Sequence, residues 1–202
     1  EMSEHFFAMM HRMKYINRWS LMRNTREENI QEHSLQVAMI AHALAEIRRL
    51  FFNDGRPAVD LAQVVLLALY HDASEILTGD LPTPVKYANP AIRDAFQAVE
   101  SVASAKLLSQ LPVELLPAYA PILAPDRGDS STEAALQLVK AADRISAYIK
   151  CIDEEKAGNS EFRQASQTIR ESLDIVEKEL PEVAWFDSHL LPSFRLSLDE
   201  LS

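Results

Sequence analysis

Three segments of this 202-residue chain place metal-ligand side chains on helix faces that are otherwise apolar. His33 precedes, in register, the stripe Val37, Ile40, Ala41, Leu44 and Ile47. Asp72 and Ile76 continue the stripe Leu61, Val64, Val65, Ala68 and Leu69, with His71 and Glu75 on the neighbouring stripe. Asp143 shares its face with Leu136, Val139 and Ser146. Apolar residues recurring at three- and four-residue intervals mark helix faces that must pack. A bare His or Asp on such a face is costly unless something satisfies it. The three segments are therefore expected to meet, bringing two imidazoles and two carboxylates together from separate helices.

The rest of the chain reads as helix as well, and the expected fold is all-α, one compact helical bundle over residues 1–202. With 4 Gly there is little room for a turn-rich β architecture. A first helix is expected from Glu4 to Ile16, followed by a polar loop, Arg18 to Asn24. Asn29 is the expected N-cap of the second helix, with Glu32 three residues on. Asn53-Asp54-Gly55 and Pro57 end it. The third helix starts after Asp60. Gly79 to Pro84 is expected to be a stiff, non-helical loop. Pro90, preceded by Asn89, opens a helix to about Gln110. Pro112, Pro117, Pro121 and Pro125 break the next stretch into short pieces. A long helix is expected after Ser130, with Glu133 completing its capping box, running to Ala157 and stopped by Gly158. Another spans about Glu161 to Leu180 and stops at Pro181. The tail, with Trp185, Phe186 and Phe194, is expected to pack on the body.

The bulk properties exclude some classes of function. A net charge of -10 argues against a sequence-independent grip on nucleic-acid polymers. It leaves room for a small anionic substrate, because a metal and a few local cations can outweigh a distant surface. The single Cys151 cannot form an internal disulfide and fits a reducing compartment. The longest apolar run, Val64 to Tyr70, is far short of the ~20 residues of a membrane span. The first residues lack a basic region followed by an apolar one, so no signal peptide is expected. These features predict a cytoplasmic protein with no membrane partner.

Imidazole nitrogen and carboxylate oxygen together suit divalent cations such as Mn, Co, Ni, Fe or Zn. No thiolate joins them, which disfavours a structural zinc site. Four protein ligands on an octahedral ion leave two positions for water or a substrate oxygen. Such an ion polarises a phosphoryl oxygen or lowers the pKa of water. Neighbours on a helix point about 100° apart, so His71 and Asp72 can share an ion only if it lies between their directions, as near a helix end. Glu75, four residues from His71 and three from Asp72, overlooks the same place and suits a general acid/base. His42 points to the opposite face from His33, and neither it nor His5, His11 or His189 is assigned a role. Arg18 offers a planar fork of donors for phosphate, Trp19 a flat wall for a sugar or base, and Asp80 an acceptor for a sugar hydroxyl. Each also has a plain alternative: a surface Arg, a core Trp and a turn Asp.

The H…HD…D pattern, as His33, Tyr70-His71-Asp72-Ala73-Ser74-Glu75 and Ala142-Asp143-Arg144, resembles the HD-domain superfamily of metal-dependent phosphohydrolases. The stretches Ile16-Asn17-Arg18-Trp19, Glu32-His33-Ser34-Leu35-Gln36-Val37-Ala38 and Leu77 to Tyr87 resemble its bacterial 5′-deoxynucleotidases. So does Ser193-Phe194-Arg195-Leu196-Ser197-Leu198-Asp199-Glu200. The likeness spans nearly the whole chain and is strongest in the first 90 residues.

The resemblance implies a homodimeric enzyme that removes the 5′-phosphate of deoxyribonucleoside 5′-monophosphates. It implies one divalent cation per subunit, Co, Mn or similar, held by His33, His71, Asp72 and Asp143. Glu75 would be the catalytic carboxylate. Arg18, Trp19, Asp80, Leu81, Pro82 and Thr83 would contact substrate, with His33, Asp72 and Asp143 beside it. Two alternatives stand next to this reading. One is another HD-type nucleotide phosphohydrolase. Guanosine-tetraphosphate hydrolases carry HDxxED, whereas Ile76 follows Glu75 here, and cyclic-dinucleotide phosphodiesterases need further His ligands. The other is a non-catalytic nucleotide-sensing HD module, although such modules typically lose ligands that this chain retains.

Overall fold

The computed structural model describes residues 4–86 and 89–202, apart from the side chains of Thr83 and Pro84. In chain order the helices are α1 (Phe6–Met10), α2 (Ile30–Phe51), α3 (Leu61–Tyr70), α4 (Glu75–Thr78), α5 (Thr83–Lys86), α6 (Pro90–Leu108), α7 (Leu116–Leu123), α8 (Ser130–Lys156), α9 (Arg163–Glu179) and α10 (Pro181–His189). Short 3-10 turns join several of them. The described residues contain no strand, only an isolated antiparallel bridge between Asn17 and Asn29. The fold is all-α, as expected. No helix among the described residues is long and apolar enough to cross a membrane.

The long helices α2 and α8 form the centre. Asn29 caps α2 as expected, its side chain accepting from the Gln31 and Glu32 amides at 3.0 Å each. The predicted stripe of α2 is buried throughout, and Ala41 and Leu44 are fully enclosed. Burying one such Leu contributes about 1.5–3 kcal/mol. This stripe packs on α3 and α8, while α9 covers the far side of α8 and α10 lies on α2. In α3 the deepest residues are Val64, Leu67 and Ala68; Leu61, Val65 and Leu69 are half-buried. α10 is pinned by Glu182, which is fully buried and bonded to Arg48 Nε and Arg56 Nη1 at 2.7 Å each. A second apolar cluster of Phe6, Ala73, Leu107 and Leu111 gathers α1, α6 and α7 behind the turn that follows α3.

Several boundaries differ from the sequence reading. The first helix stops at Met10 and tightens into a 3-10 turn, His11–Tyr15, because Ile16 leaves in an extended conformation and its carbonyl accepts from the Ile30 amide at 3.0 Å. The N-cap of α8 is Asp129, one residue earlier than expected, and its carboxylate accepts from the Thr132 amide at 2.7 Å. Thr83 and Pro84 lie in the first turn of α5, where a proline is tolerated because that N–H has no helical partner. Pro121 does not break its segment but sits inside α7. Pro181 does more than stop α9, since it opens α10.

The loop carrying Arg18 and Trp19 is tied to α8 by one carboxylate. Glu154, 1% exposed, accepts from the Thr25 amide at 2.9 Å, from Thr25 Oγ1 at 2.5 Å and from Asn159 Nδ2 at 2.8 Å, and pairs with Lys150. Burial disfavours its charge, but the Lys150, Thr25 and Asn159 donors win and lower its pKa to about 2. A depressed carboxylate contributes stability above its unfolded value and loses it as pH falls through the folded one. Acid unfolding is therefore expected to draw on Glu154 between about pH 4.5 and about 2. Denaturant midpoints measured across that window should fall less steeply in Glu154→Gln than in the parent. Parallel curves would remove Glu154 from the acid transition.

Candidate metal centre

His33, on the first turn of α2, is fully buried. His71 closes α3, and Asp143 lies midway along α8. One ligand atom from each of the three lies within 4.8 Å of the others. His33 Nε2 is 3.0 Å from Asp143 Oδ1, and the two imidazole centroids are 5.3 Å apart. Asp72 stands beside this group, with Oδ2 3.1 Å from His71 Nε2 and 3.6 Å from His33 Nε2. The structure thus brings together the four residues that the helix registers put forward.

The adjacency of His71 and Asp72 works because α3 ends there. A continued α-helix would give the Ala68 carbonyl to the Asp72 amide. Instead His71 Nδ1 takes that carbonyl at 2.7 Å. Side-chain competition of this kind ends helices. The chain then tightens, with the Ala73 amide on the Tyr70 carbonyl at 3.0 Å and the Glu75 amide on the Asp72 carbonyl at 2.9 Å. The expectation that α3 runs on through Ile76 is corrected: residues 71–74 form a turn, and α4 restarts at Glu75. Gly79, at φ +74°, ends α4 and frees the chain toward Asp80.

Both imidazoles have their Nδ1 committed. His71 Nδ1 faces a carbonyl and must be its donor. His33 Nδ1 lies 3.1 Å from Ser146 Oγ, which itself donates to Gln36 Oε1 at 2.6 Å. The serine proton is thereby spent, and the oxygen accepts from His33. In the neutral rings this leaves Nε2 as a bare lone pair in each. Both Nε2 atoms are buried without a hydrogen-bond partner, as is Glu75 Oε2. A buried polar atom without a partner is expensive. Two partnerless imidazole nitrogens beside two carboxylates at one point fit a divalent cation.

The electrostatics point the same way. Burial pulls the His71 pKa down, but the charge of Asp72 3.1 Å away, then that of Asp143, outweigh it and raise the value to about 9. Asp72 and Asp143 are both held low against their burial, Asp72 chiefly by His71 and Asp143 chiefly by His33. Glu75 behaves oppositely. Burial, then the charges of Asp72 and Asp80, push it up to about 10, so its carboxyl is neutral near pH 7. Asp80 is raised by its own burial and feels Arg18, Asp72, His33 and the Trp19 backbone N–H, which puts it at the same site. Arg18 is kept charged against burial by Glu28, Asp143, Asp72 and Asp80, and its Nη2 is 3.9 Å from Asp143 Oδ1.

Of the remaining expected residues, Trp19 is half-buried on the same loop, its ring 5.3 Å from that of Phe162. Leu81 and Pro82 are half-buried and follow Asp80 directly in the chain. The Thr83 side chain lies outside the described set. Sequence reasoning missed the partner roles of Gln36, Ser146 and Glu28. The first two carried a signal, since each lies three residues beyond a ligand, His33 or Asp143, and so one turn along the same face. Glu28 carried none.

The chain matches the model of the family described as 5′-deoxynucleotidase YfbR-like over residues 5–194. It is 50% identical to a 5′-deoxynucleotidase of Enterobacter sp. (strain 638), over 98% of this chain and 96% of that protein. It is 48% identical to the 5′-deoxynucleotidase YfbR of Salmonella typhi with the same coverage. Among solved structures, an HD-domain phosphohydrolase from Listeria innocua superposes with a TM-score of 0.76 at 24% identity, covering 94% of this chain and 88% of that one. The cyanophage S-2L HD phosphohydrolase DatZ, solved with dA and one catalytic Zn2+ ion, superposes with a TM-score of 0.57 at 19% identity, covering 92% and 96%. At these identities the two structures establish the shared fold.

Metal uptake is expected to expel a proton, because a ligating His71 must be neutral. With a metal-free value of about 9, apparent affinity for Mn2+ or Co2+ should climb with pH, by about tenfold per unit, until it levels near 9. Calorimetric titration of chelator-treated protein in buffers of differing ionisation enthalpy counts the released protons. A count of zero at pH 7 would contradict the arrangement described for His71.

Proposed function

The chain belongs to the 5′-deoxynucleotidase YfbR-like family, and from this we infer that it is a 5′-deoxynucleotidase, a phosphoric monoester hydrolase that releases inorganic phosphate from deoxyribonucleoside 5′-monophosphates. The observation that carries the reading to this chain's own residues is the convergence of His33, His71 and Asp143 within 4.8 Å, with two buried Nε2 atoms lacking a partner. We assign the cation to these three and Asp72. When bound, it supplies Lewis-acid polarisation of a phosphoryl oxygen and a lowered pKa for water.

The remaining groups bind, orient and move protons. Arg18 presents its Nη2 edge toward the cluster and suits a non-bridging phosphate oxygen. Glu75, neutral and with Oε2 free of partners, suits proton donation to the departing 5′-oxygen, after which its carboxylate can recover a proton from water. Asp80 suits a sugar hydroxyl, with Leu81, Pro82 and Thr83 continuing the rim. We assign the Trp19 indole to the wall against C2′. Burying the extra ribose hydroxyl there without a partner costs about 1–3 kcal/mol, or roughly 5- to 150-fold in selectivity. We take residues 1–202 as one catalytic domain, working as a homodimer in the cytoplasm. The resemblance supports the dimer, and the unpaired, buried Cys151 suits the compartment.

Phosphate release measured across ribo- and deoxyribonucleoside mono-, di- and triphosphates with Mn2+, Co2+ or Mg2+ is expected to peak with the deoxy monophosphates. A preference for triphosphates would replace this reading with another HD-type phosphohydrolase. His33→Ala, His71→Ala, Asp72→Ala and Asp143→Ala should each lose the metal and the activity together. Glu75→Gln should keep the metal and near-normal KM while kcat falls by about 10²–10⁴. Loss of the metal in Glu75→Gln would make Glu75 a ligand instead.

A further inference from the structure

Arg18 and Trp19 are neighbours in sequence, and one atom anchors both. Glu28 Oε2 accepts from Arg18 Nη1 at 2.7 Å and from Trp19 Nε1 at 3.3 Å. The carboxylate and the guanidinium are well shielded, at 14% and 13% exposure. Glu28 is itself held in place. Its carbonyl accepts from the Arg18 amide at 2.8 Å, and the next residue, Asn29, bridges to Asn17 and caps α2. The anchor is thus attached to the start of the helix that carries His33.

The consequences for the two side chains differ. The Nη1 edge of Arg18 is occupied, so the guanidinium can turn only its Nη2 side to the cluster, where Asp143 Oδ1 lies 3.9 Å away. Trp19 has a single polar side-chain atom, and Glu28 satisfies it, which fixes the plane of the indole. The Trp19 backbone is at φ +58°, a conformation that non-glycine residues rarely adopt. It is held there because the Met22 amide and Asn24 Nδ2 both donate to the Trp19 carbonyl, at 2.9 and 3.2 Å. The backbone sets where the ring starts, and Glu28 sets which way it faces.

We propose that Glu28 is a positioning residue that locks Arg18 and Trp19 into one rigid unit, so that phosphate grip and sugar selection are set together. Glu28 does not touch the substrate. The proposal rests on Arg18 and Trp19 being the phosphate and sugar contacts. A charge-paired anchor also keeps the guanidinium from turning into Asp72 and Asp80, the other carboxylates whose charge it feels.

The test compares the parent with Glu28→Ala and with Glu28→Gln, which keeps the shape and one acceptor. The readouts are kcat and KM for dAMP and AMP, bound metal, and solvent exchange of the Trp19 indole N–H in a Trp185→Phe background that leaves one indole. Glu28→Ala is expected to raise KM roughly 10- to 100-fold for both nucleotides with a smaller change in kcat. It should also lower the deoxy-to-ribo ratio several-fold, speed indole exchange and leave the metal in place. Glu28→Gln should fall between. In a Trp19→Ala background, Glu28→Ala should no longer change the ratio. Unchanged KM and indole exchange in Glu28→Ala would overturn the proposal, and so would a ratio effect that persists without Trp19. If the parent shows no deoxy preference and Trp19→Ala changes nothing, the sugar role of Trp19 fails, while KM and indole exchange still decide the anchoring by Glu28.

Discussion

Two imidazoles whose Nδ1–H groups are already engaged as hydrogen-bond donors dominate this structure. The Ala68 carbonyl accepts from one and Ser146 Oγ from the other, so each ring turns its Nε2 toward the space shared with Asp72 and Asp143, where a neutral ring offers a lone pair. Lone pair facing lone pair in a low-dielectric interior is unfavourable unless positive charge stands between them. The helices around the site hold the atoms in that arrangement. α2 and α8 bring His33 and Asp143 together because their apolar stripes are continuous on either side of the polar residues. The core that builds the bundle is therefore also what keeps the ligand atoms from relaxing away from one another.

The turn at residues 71–74 shows how a local hydrogen bond becomes a site. His71 takes the carbonyl that would have continued α3, and the chain tightens by i to i+3 bonds. That turn lets adjacent His71 and Asp72 reach the same place, and it puts Glu75 at the start of a new short helix with its carboxyl buried. Behind it, Ala73 packs against Phe6, Leu107 and Leu111. The second apolar cluster therefore supports the turn carrying two ligand residues and the acid.

The helical registers were legible because burial follows a period that composition cannot hide. Val37, Ala41 and Leu44 had to be inside, and His33, Asp72 and Asp143 were found by being in register with such residues. The cap at Asn29 was equally readable, since its side-chain acceptor directly precedes the helical stripe and can serve the free amides of the first turn. What escaped depended on contacts between distant segments. Glu28 meets Arg18 and Trp19 across ten and nine residues of irregular chain, and Glu154 meets Thr25 across 129. No periodicity announces such pairs. The break after Tyr70 escaped for another reason: the apolar pattern continues through Ile76, and only the His71 side chain decides against helix. Pro181 read as a stop, although proline is as well suited to a first turn as to an end.

Charge explains why so much structure is spent on one arginine. Around the cluster stand Asp72, Asp143, Asp80 and Glu28, while Arg18 is the cation that all four act on. Near neutral pH the metal-free site adds the proton on His71, with Glu75 uncharged. Carboxylates still outnumber cations, on a chain whose net charge is -10. A phosphate monoester dianion would be repelled from such a place. A divalent cation at the cluster would offset that repulsion as well as polarise the phosphorus. Arg18 alone cannot offset it, because much of its charge is already answered by Glu28. The pairing with Glu28 sacrifices some attraction for phosphate and gains direction, which matters more once a metal supplies the attraction.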